Sequence, residues 1–192
     1  AYLQGLPDGL VPHKTLGDII AFNAANADQE LQYFGQDIFE AANKEKGLDN
    51  PAIIVMEKSF HGRTLATLSA TGNSKVQYGF TPLVEGFIRV PYNNIESIET
   101  ALAQNNNIVA ILVEPIQGEA GVYVPAENYL EQVKELCDQY NVLFIADEVQ
   151  TGIARTGSLL AVCGNCTCEN KCERQDTYAK PDILILGKAV SG

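Results

Sequence analysis

The chain has 192 residues, which is long enough for one domain with a buried core. Its 13 basic and 24 acidic side chains give a formal net charge of −11, which argues against a nucleic-acid backbone as partner. No apolar run approaches the roughly 18 residues of a membrane span, and the opening "AYLQGLPDGLVPHKTLG" lacks the pattern of a secretory signal. We therefore expect a cytoplasmic protein with neither a nucleic-acid nor a membrane partner.

Residues 1–44 are predicted to form a helical N-terminal segment. Thr15 can cap a first helix, and a second helix with apolar residues at helical spacing begins near Asp28. The charged stretch "NKEKGLDNP" carries Gly and Pro and has no hydrophobic period, which predicts a hinge. The second predicted region is 45–192.

Short apolar runs rich in β-branched residues recur through this second region. Because nearly continuous apolar strands are buried on both faces, they predict a mainly parallel sheet. Helical spacing between the runs, marked by Ile95 and Ile98 and again by Tyr129 and Val133, predicts helices on both faces of an α/β fold. The predicted strands are AIIVM (52–56), FIRV (87–90), VAILV (109–113), VLFIA (142–146) and ILIL (183–186).

Polar side chains follow three of these runs. Glu114 and then Glu119 come after the third, Asp147 and Gln150 after the fourth, and Lys188 after the fifth. Because ligands of open α/β sheets bind beyond the carboxyl ends of the strands, these groups are candidates for one shared site.

The residue types at this edge suit pyridoxal phosphate. Lys188 offers an amine for a Schiff base, and a buried Asp147 can pair with a protonated pyridine nitrogen. Phe60 could cover a flat ring, and Arg63 could hold a substrate carboxylate in a bidentate fork. Each residue also has a plainer interpretation: a turn lysine, a capping acid, a core phenylalanine and a surface arginine.

Two long stretches resemble class III pyridoxal-phosphate aminotransferases, in particular those acting on ornithine and N-acetylornithine. These are "NPAIIVMEKSFHGRTLATLSATGNSKVQYGFTPLVEGFIRVPYN" and "VEPIQGEAGVYVPAENYLEQVKELCDQYNVLFIADEVQTGIARTGSLL", the latter followed by "KPDILILGKAVSG". The resemblance covers about residues 45–192. It implies part of the large domain of a fold-type I pyridoxal-phosphate enzyme.

The resemblance assigns the cofactor contacts residue by residue. Lys188 would be the Schiff-base lysine and would move the proton between substrate and cofactor. Asp147 would pair with the pyridine nitrogen, and Gln150 would approach the phenolic oxygen. Val149 and Phe60 would pack on the two faces of the ring.

The resemblance also implies substrates and a partner. Arg63 would hold a substrate carboxylate and Glu119 would lie in the substrate pocket, whereas Glu114 would be structural. The terminal amino group of ornithine or N-acetylornithine would pass to 2-oxoglutarate, in a homodimer. A fragment or hybrid without full activity is expected, and a non-catalytic remnant or interaction fragment is the alternative.

The chain departs from the family pattern near its N-terminus. The family's phosphate-cradling turn is not found, and "TLGDIIAFNAANADQELQYFGQDIFEAA" resembles instead the C-terminal part of amidase-signature hydrolases. The serine-rich stretch of those hydrolases is absent, so no amidase residue can be assigned.

Four clustered cysteines interrupt the resemblance as an insertion at 163–172. Cys163, Cys166, Cys168 and Cys172 could bind zinc, but zinc sites usually draw two pairs from separate knuckles. Reduced thiols on a surface loop are the expected state, so no metal is assigned, and a small metal-binding module stays the alternative.

Overall fold

The computed structural model describes residue 48 and residues 50–163 and 179–190. The chain divides into two units, Ala1–Pro51 and Ala52–Gly192, and the fold below is that of the second. The helices predicted near Thr15 and Asp28 lie outside the described residues, as does the predicted boundary at residue 44.

The second unit is built on a parallel sheet of five strands in the order β2-β1-β3-β4-β5. Each strand matches one predicted run to within one residue at either end, so the predicted parallel α/β fold is confirmed. The strands are β1 (Ala52–Met56), β2 (Phe87–Val90), β3 (Ile108–Val113), β4 (Leu143–Asp147) and β5 (Ile183–Ile185).

The described residues between the strands form four α-helices: α1 (Leu65–Ala70), α2 (Ser74–Gln77), α3 (Ile95–Gln104) and α4 (Tyr129–Tyr140). The two longer helices, α3 and α4, are those predicted from apolar spacing; α1 and α2 are too short to show a helical period. Two 3-10 turns follow, Ala161–Cys163 and Lys188–Val190. None of the helices in the described ranges is long and apolar enough to cross a membrane.

The hydrophobic core forms around the central strand. All six residues of β3 are buried, and strands pair with it on both sides. Phe144 of β4 and Val133 of α4 are fully buried beside it, and the ring of Tyr129 meets that of Tyr92 edge-on at 5.3 Å. This packing holds the strand ends in fixed relative positions.

The strand order changes direction between β1 and β3. The chain moves from β1 outward to β2, then returns to place β3 on the opposite side of β1. In open α/β sheets, such a switch point opens a crevice at the carboxyl ends of the strands, where ligands bind. The loops after β1 and β3 therefore border the expected binding site among the described strands.

Candidate active site

A buried contact between two side chains joins the loop after β1 to the end of β4. His61 Nδ1 lies 2.8 Å from Asp147 Oδ2, and the two side chains are only 3% and 8% exposed. The other carboxylate oxygen, Oδ1, accepts a hydrogen bond from the Val149 N–H at 3.1 Å. Both oxygens of Asp147 are thus held in place, as a charged group needs when it is removed from water.

His61 is a site residue that sequence reasoning missed. Its Nε2 is buried and has no hydrogen-bond partner in the part of the chain that the structure describes. Its position could have indicated a role in the site, because it follows Phe60 in the loop after β1, at the switch point of the sheet. A histidine there can orient a carboxylate through one nitrogen and meet a ligand with the other.

Glu114 is buried and contacts the loop after β1. Its Oε2 accepts a hydrogen bond from the Phe60 N–H at 3.0 Å, and the residue is 3% exposed. Burial raises the pKa of Glu114 to about 7, while the bond from Phe60 and the proximity of His61 act in the opposite direction. The predicted structural role is compatible with this contact.

Gln150 lies against the loop that follows β3. A side-chain carbon added at Gly118 would come within 2.9 Å of Gln150 Oε1, so the close approach of the two loops needs a glycine. Gln150 Nε2 is buried and has no hydrogen-bond partner among the described residues. Its amide therefore retains a donor for a ligand.

Lys188 lies further along the same edge of the sheet. Asp147 pairs with Ile185, the last residue of β5, and Lys188 begins the 3-10 turn beyond it. A carbon added at Gly187 would lie 3.4 Å from Val149 Cγ1, which places this turn beside the segment after β4. Lys188 is exposed and has φ of 42°, a left-handed conformation uncommon outside glycine.

Arg63 and Glu119, the predicted substrate-binding residues, are both exposed. The Arg63 guanidinium lies over the half-buried Phe60 ring, 5.6 Å from its centroid, in a cation–π contact. Glu119 lies near enough to Glu114 to contribute to its raised pKa. Within the described residues, no hydrogen bond or ion pair joins Arg63 to Glu119.

The described ranges contain no group of three or more His, Cys, Asp or Glu side chains arranged to hold a metal ion. Of the four clustered cysteines, only Cys163 falls in these ranges, and Cys166, Cys168 and Cys172 lie outside them. The expectations for this cluster stay predictions.

The family model for class-III aminotransferases matches residues 36–192. The chain is 47% identical over 145 residues to an acetylornithine aminotransferase of Nitrosomonas europaea, covering 76% of this chain and 34% of that protein. It is 49% identical over 140 residues to a mitochondrial ornithine aminotransferase of Drosophila melanogaster, covering 73% and 30%. The chain thus spans about a third of the length of these curated relatives.

Solved structures show the same likeness. An ornithine aminotransferase of Toxoplasma gondii, described with partial occupancy of PLP at its active site, is similar with a TM-score of 0.70 and 30% identity. That match covers 98% of this chain and 43% of the other. An acetylornithine aminotransferase of Elizabethkingia anophelis is similar with a TM-score of 0.59 and 41% identity, covering 92% and 37%.

Proposed function

Because the chain belongs to the class III aminotransferase family, we propose that it supplies the cofactor-binding edge of a pyridoxal-phosphate-dependent transaminase. The observation that carries this proposal is the buried Asp147 carboxylate, oriented by His61 and by the Val149 N–H at the end of β4. A fixed, buried carboxylate can hold a proton on a pyridine nitrogen, which keeps such a ring electron-withdrawing.

The described residues fit the ring of this cofactor. Gln150 has a buried amide donor without a protein partner in the described ranges, suited to a ring oxygen. Phe60 and Val149 would cover the two faces of the ring, and Lys188 would provide the amine that attaches it. The ring, when bound, supplies an electron sink for the bond that breaks at the substrate carbon.

Proton movement would be the task of two side chains. Asp147 would hold the proton at the pyridine nitrogen throughout the reaction. Lys188 Nζ would take the proton from the substrate carbon and pass it to the cofactor, as a positioned amine can in general acid–base catalysis. Asp147 ends β4, and Lys188 lies in the turn beyond β5, the strand that pairs directly with β4.

We propose an amine with a terminal amino group as donor and 2-oxoglutarate as acceptor. The proposed donor is ornithine or N-acetylornithine, in keeping with the names of the similar proteins from Drosophila melanogaster and Nitrosomonas europaea. Arg63 would hold a substrate carboxylate and Glu119 would line the pocket. The position of Arg63 over Phe60 supports this role, because it brings a guanidinium beside the proposed ring site.

A homodimer is the proposed assembly. Tyr78, Phe80 and Val84 are 88%, 56% and 43% exposed, and they are the proposed contact surface, because association would remove these apolar side chains from water. The same surface would serve the alternative function, an interaction fragment without catalysis. The cytoplasmic location stays a prediction from the sequence.

Cofactor binding tests the proposal. Pyridoxal phosphate added to the chain should produce an absorption band in the violet-to-blue region, and Lys188→Ala should abolish it. Lys180→Ala, which changes another exposed lysine of the same segment, is the matched control and should keep the band. Absence of the band from the unchanged chain would mean that this chain does not bind the cofactor, and a doubled mass on size-exclusion chromatography would then favour the interaction fragment.

A further inference from the structure

Glu114 occupies an unusual environment for an acidic residue at the end of a strand. It is the first residue after β3, and it is 3% exposed. A buried carboxylate is costly unless hydrogen-bond donors compensate for the lost water. The group that donates a hydrogen bond to Glu114 therefore indicates which part of the chain this carboxylate holds in place.

That donor is the backbone of Phe60. The Phe60 N–H donates to Glu114 Oε2 at 3.0 Å, joining residues 54 positions apart in the chain. The backbone of the acceptor is itself held, because the Tyr92 hydroxyl contacts the carbonyl oxygens of Glu114 and Pro115 at 3.2 and 2.9 Å. The loop after β1 is thus tied to a rigid point on β3.

The residues on either side of Phe60 are also fixed. His61 is held by Asp147 of β4 at 2.8 Å. Ser59 is fully buried, and its Oγ accepts the Gly72 N–H at 3.1 Å. With its own N–H bound by Glu114, Phe60 has little freedom in its backbone, so these contacts together set where its ring lies.

We propose that Glu114 is a positioning residue of the cofactor site. Its carboxylate fixes the Phe60 backbone and thereby sets the distance between the Phe60 ring and a bound pyridine ring. The inference rests on the proposed function, in which Phe60 covers one face of that ring. A hydrogen bond to an ionised carboxylate is stronger than one to a neutral amide. Glu114→Gln would therefore weaken the bond, and Glu114→Ala would remove it.

The charged and titratable groups around Glu114 determine when the carboxylate is ionised. His61 favours the ionised form, whereas Asp147 and Glu119 disfavour it, and Tyr92 is also close enough to interact electrostatically. Burial is the largest influence and raises the pKa of Glu114 to about 7. At about pH 8 most of the carboxylate is ionised, so the tests belong at that pH.

The first test needs no cofactor. Hydrogen exchange of the Phe60 amide, followed by NMR, should be slow in the unchanged chain and about tenfold or more faster in Glu114→Ala, because an amide without its bond exchanges through local opening. Glu114→Gln should keep most of the protection. Glu135→Ala, an exposed acid on α4, is the control and should leave Phe60 unchanged. Protection that survives Glu114→Ala would overturn the proposal.

The second test reports on the ring itself. With pyridoxal phosphate added, Glu114→Ala should bind several-fold more weakly, and the visible circular dichroism per bound cofactor should change. A purely structural role would reduce the amount bound without altering that signal. Unchanged dichroism would overturn the positioning role and leave the proposed function standing, whereas no uptake by the unchanged chain would overturn both.

Glu114→Asp keeps these tests decisive if Glu114→Ala does not fold. The shorter side chain retains the charge but withdraws the oxygen from the Phe60 N–H. It should show the same loss of Phe60 protection and the same change in dichroism. Retention of both signals in Glu114→Asp would count against the proposal.

Discussion

The interior of the sheet and its carboxyl edge differ in how they treat polar atoms. In the interior, β3 is apolar and buried over its whole length, and its backbone groups are paired with β1 and β4. At the edge, Glu114, Asp147 and Glu148 are buried although all three are acidic. The first region resembles any well-packed core, whereas the second buries charge at a cost that needs another explanation.

Buried polar atoms without a hydrogen-bond partner also distinguish the interior of the sheet from the loops that follow its strands. Four buried side-chain nitrogens or oxygens have no partner among the described residues, and all four lie in loops that follow β1, β3 or β4. Such atoms are rare in folded proteins because each costs free energy. Their position in loops that follow these strands is in keeping with the proposed ligand site. They are His61 Nε2, Gln117 Oε1, Gln150 Nε2 and Thr156 Oγ1.

The largest expected effect tests the interior. Phe144→Ala in β4 should lower the free energy of unfolding by about 3–5 kcal/mol, because a fully buried ring leaves a cavity. Urea unfolding measures the change. Leu65→Ala removes a side chain that is 55% exposed, and as the control it should shift stability by about 0.5 kcal/mol or less. Equal losses in the two variants would remove the contrast between core and surface.

A smaller effect should follow from the pKa of Glu114. Its folded value of about 7 lies above the ordinary value of 4.5, so between these values the folded chain binds more protons than the unfolded chain. Glu114 therefore adds stability that is fully present below pH 4.5 and is lost as the pH rises through about 7. The loss amounts to about 3 kcal/mol at most.

Glu114→Gln removes this titration. The difference in unfolding free energy between the unchanged chain and Glu114→Gln should depend on pH over that interval. Gln139→Asn, at an exposed position of α4 without a titrating side chain, is the control and should show no such dependence. If the difference between the unchanged chain and Glu114→Gln stays constant with pH, the carboxyl is not the buried titrating group that the contacts describe.

The strands were predictable because each is a short apolar run with polar residues at its end. Parallel strands buried on both faces leave that mark in the local sequence. Asp147 could be placed at the carboxyl edge for the same reason, since it ends such a run, and Gln150 follows it by three residues. The helices α1 and α2 were missed, because six and four residues are too few to show a period.

The contacts of His61 and Glu114 could not be predicted in the same way. His61 meets Asp147 across 86 residues of sequence, and Phe60 meets Glu114 across 54. These contacts depend on β3 lying on the opposite side of β1 from β2. No local sequence pattern indicates on which side of β1 the strand β3 lies. The backbone of Lys188 is a similar case, because its left-handed φ of 42° belongs to a turn and not to the strand that precedes it.

The smallest stability change is expected at the edge. Gln150→Met keeps the length of the side chain but removes its buried, unpaired Nε2. Stability should change by about 1 kcal/mol or less and should rise if it changes, because a buried donor without a partner is lost. Affinity for pyridoxal phosphate should fall by about tenfold through loss of one hydrogen bond. Thermal unfolding and absorption titration measure the two quantities.

Gln139→Met on the exposed side of α4 is the matched control and should change neither quantity appreciably. If Gln150→Met clearly loses stability while its affinity for the cofactor is unchanged, Gln150 contributes to the stability of the fold and not to cofactor binding. The opposite result, lower affinity at equal or higher stability, is what distinguishes an edge shaped for a ligand. The unpaired amide would then be a cost in the free chain that bound cofactor offsets.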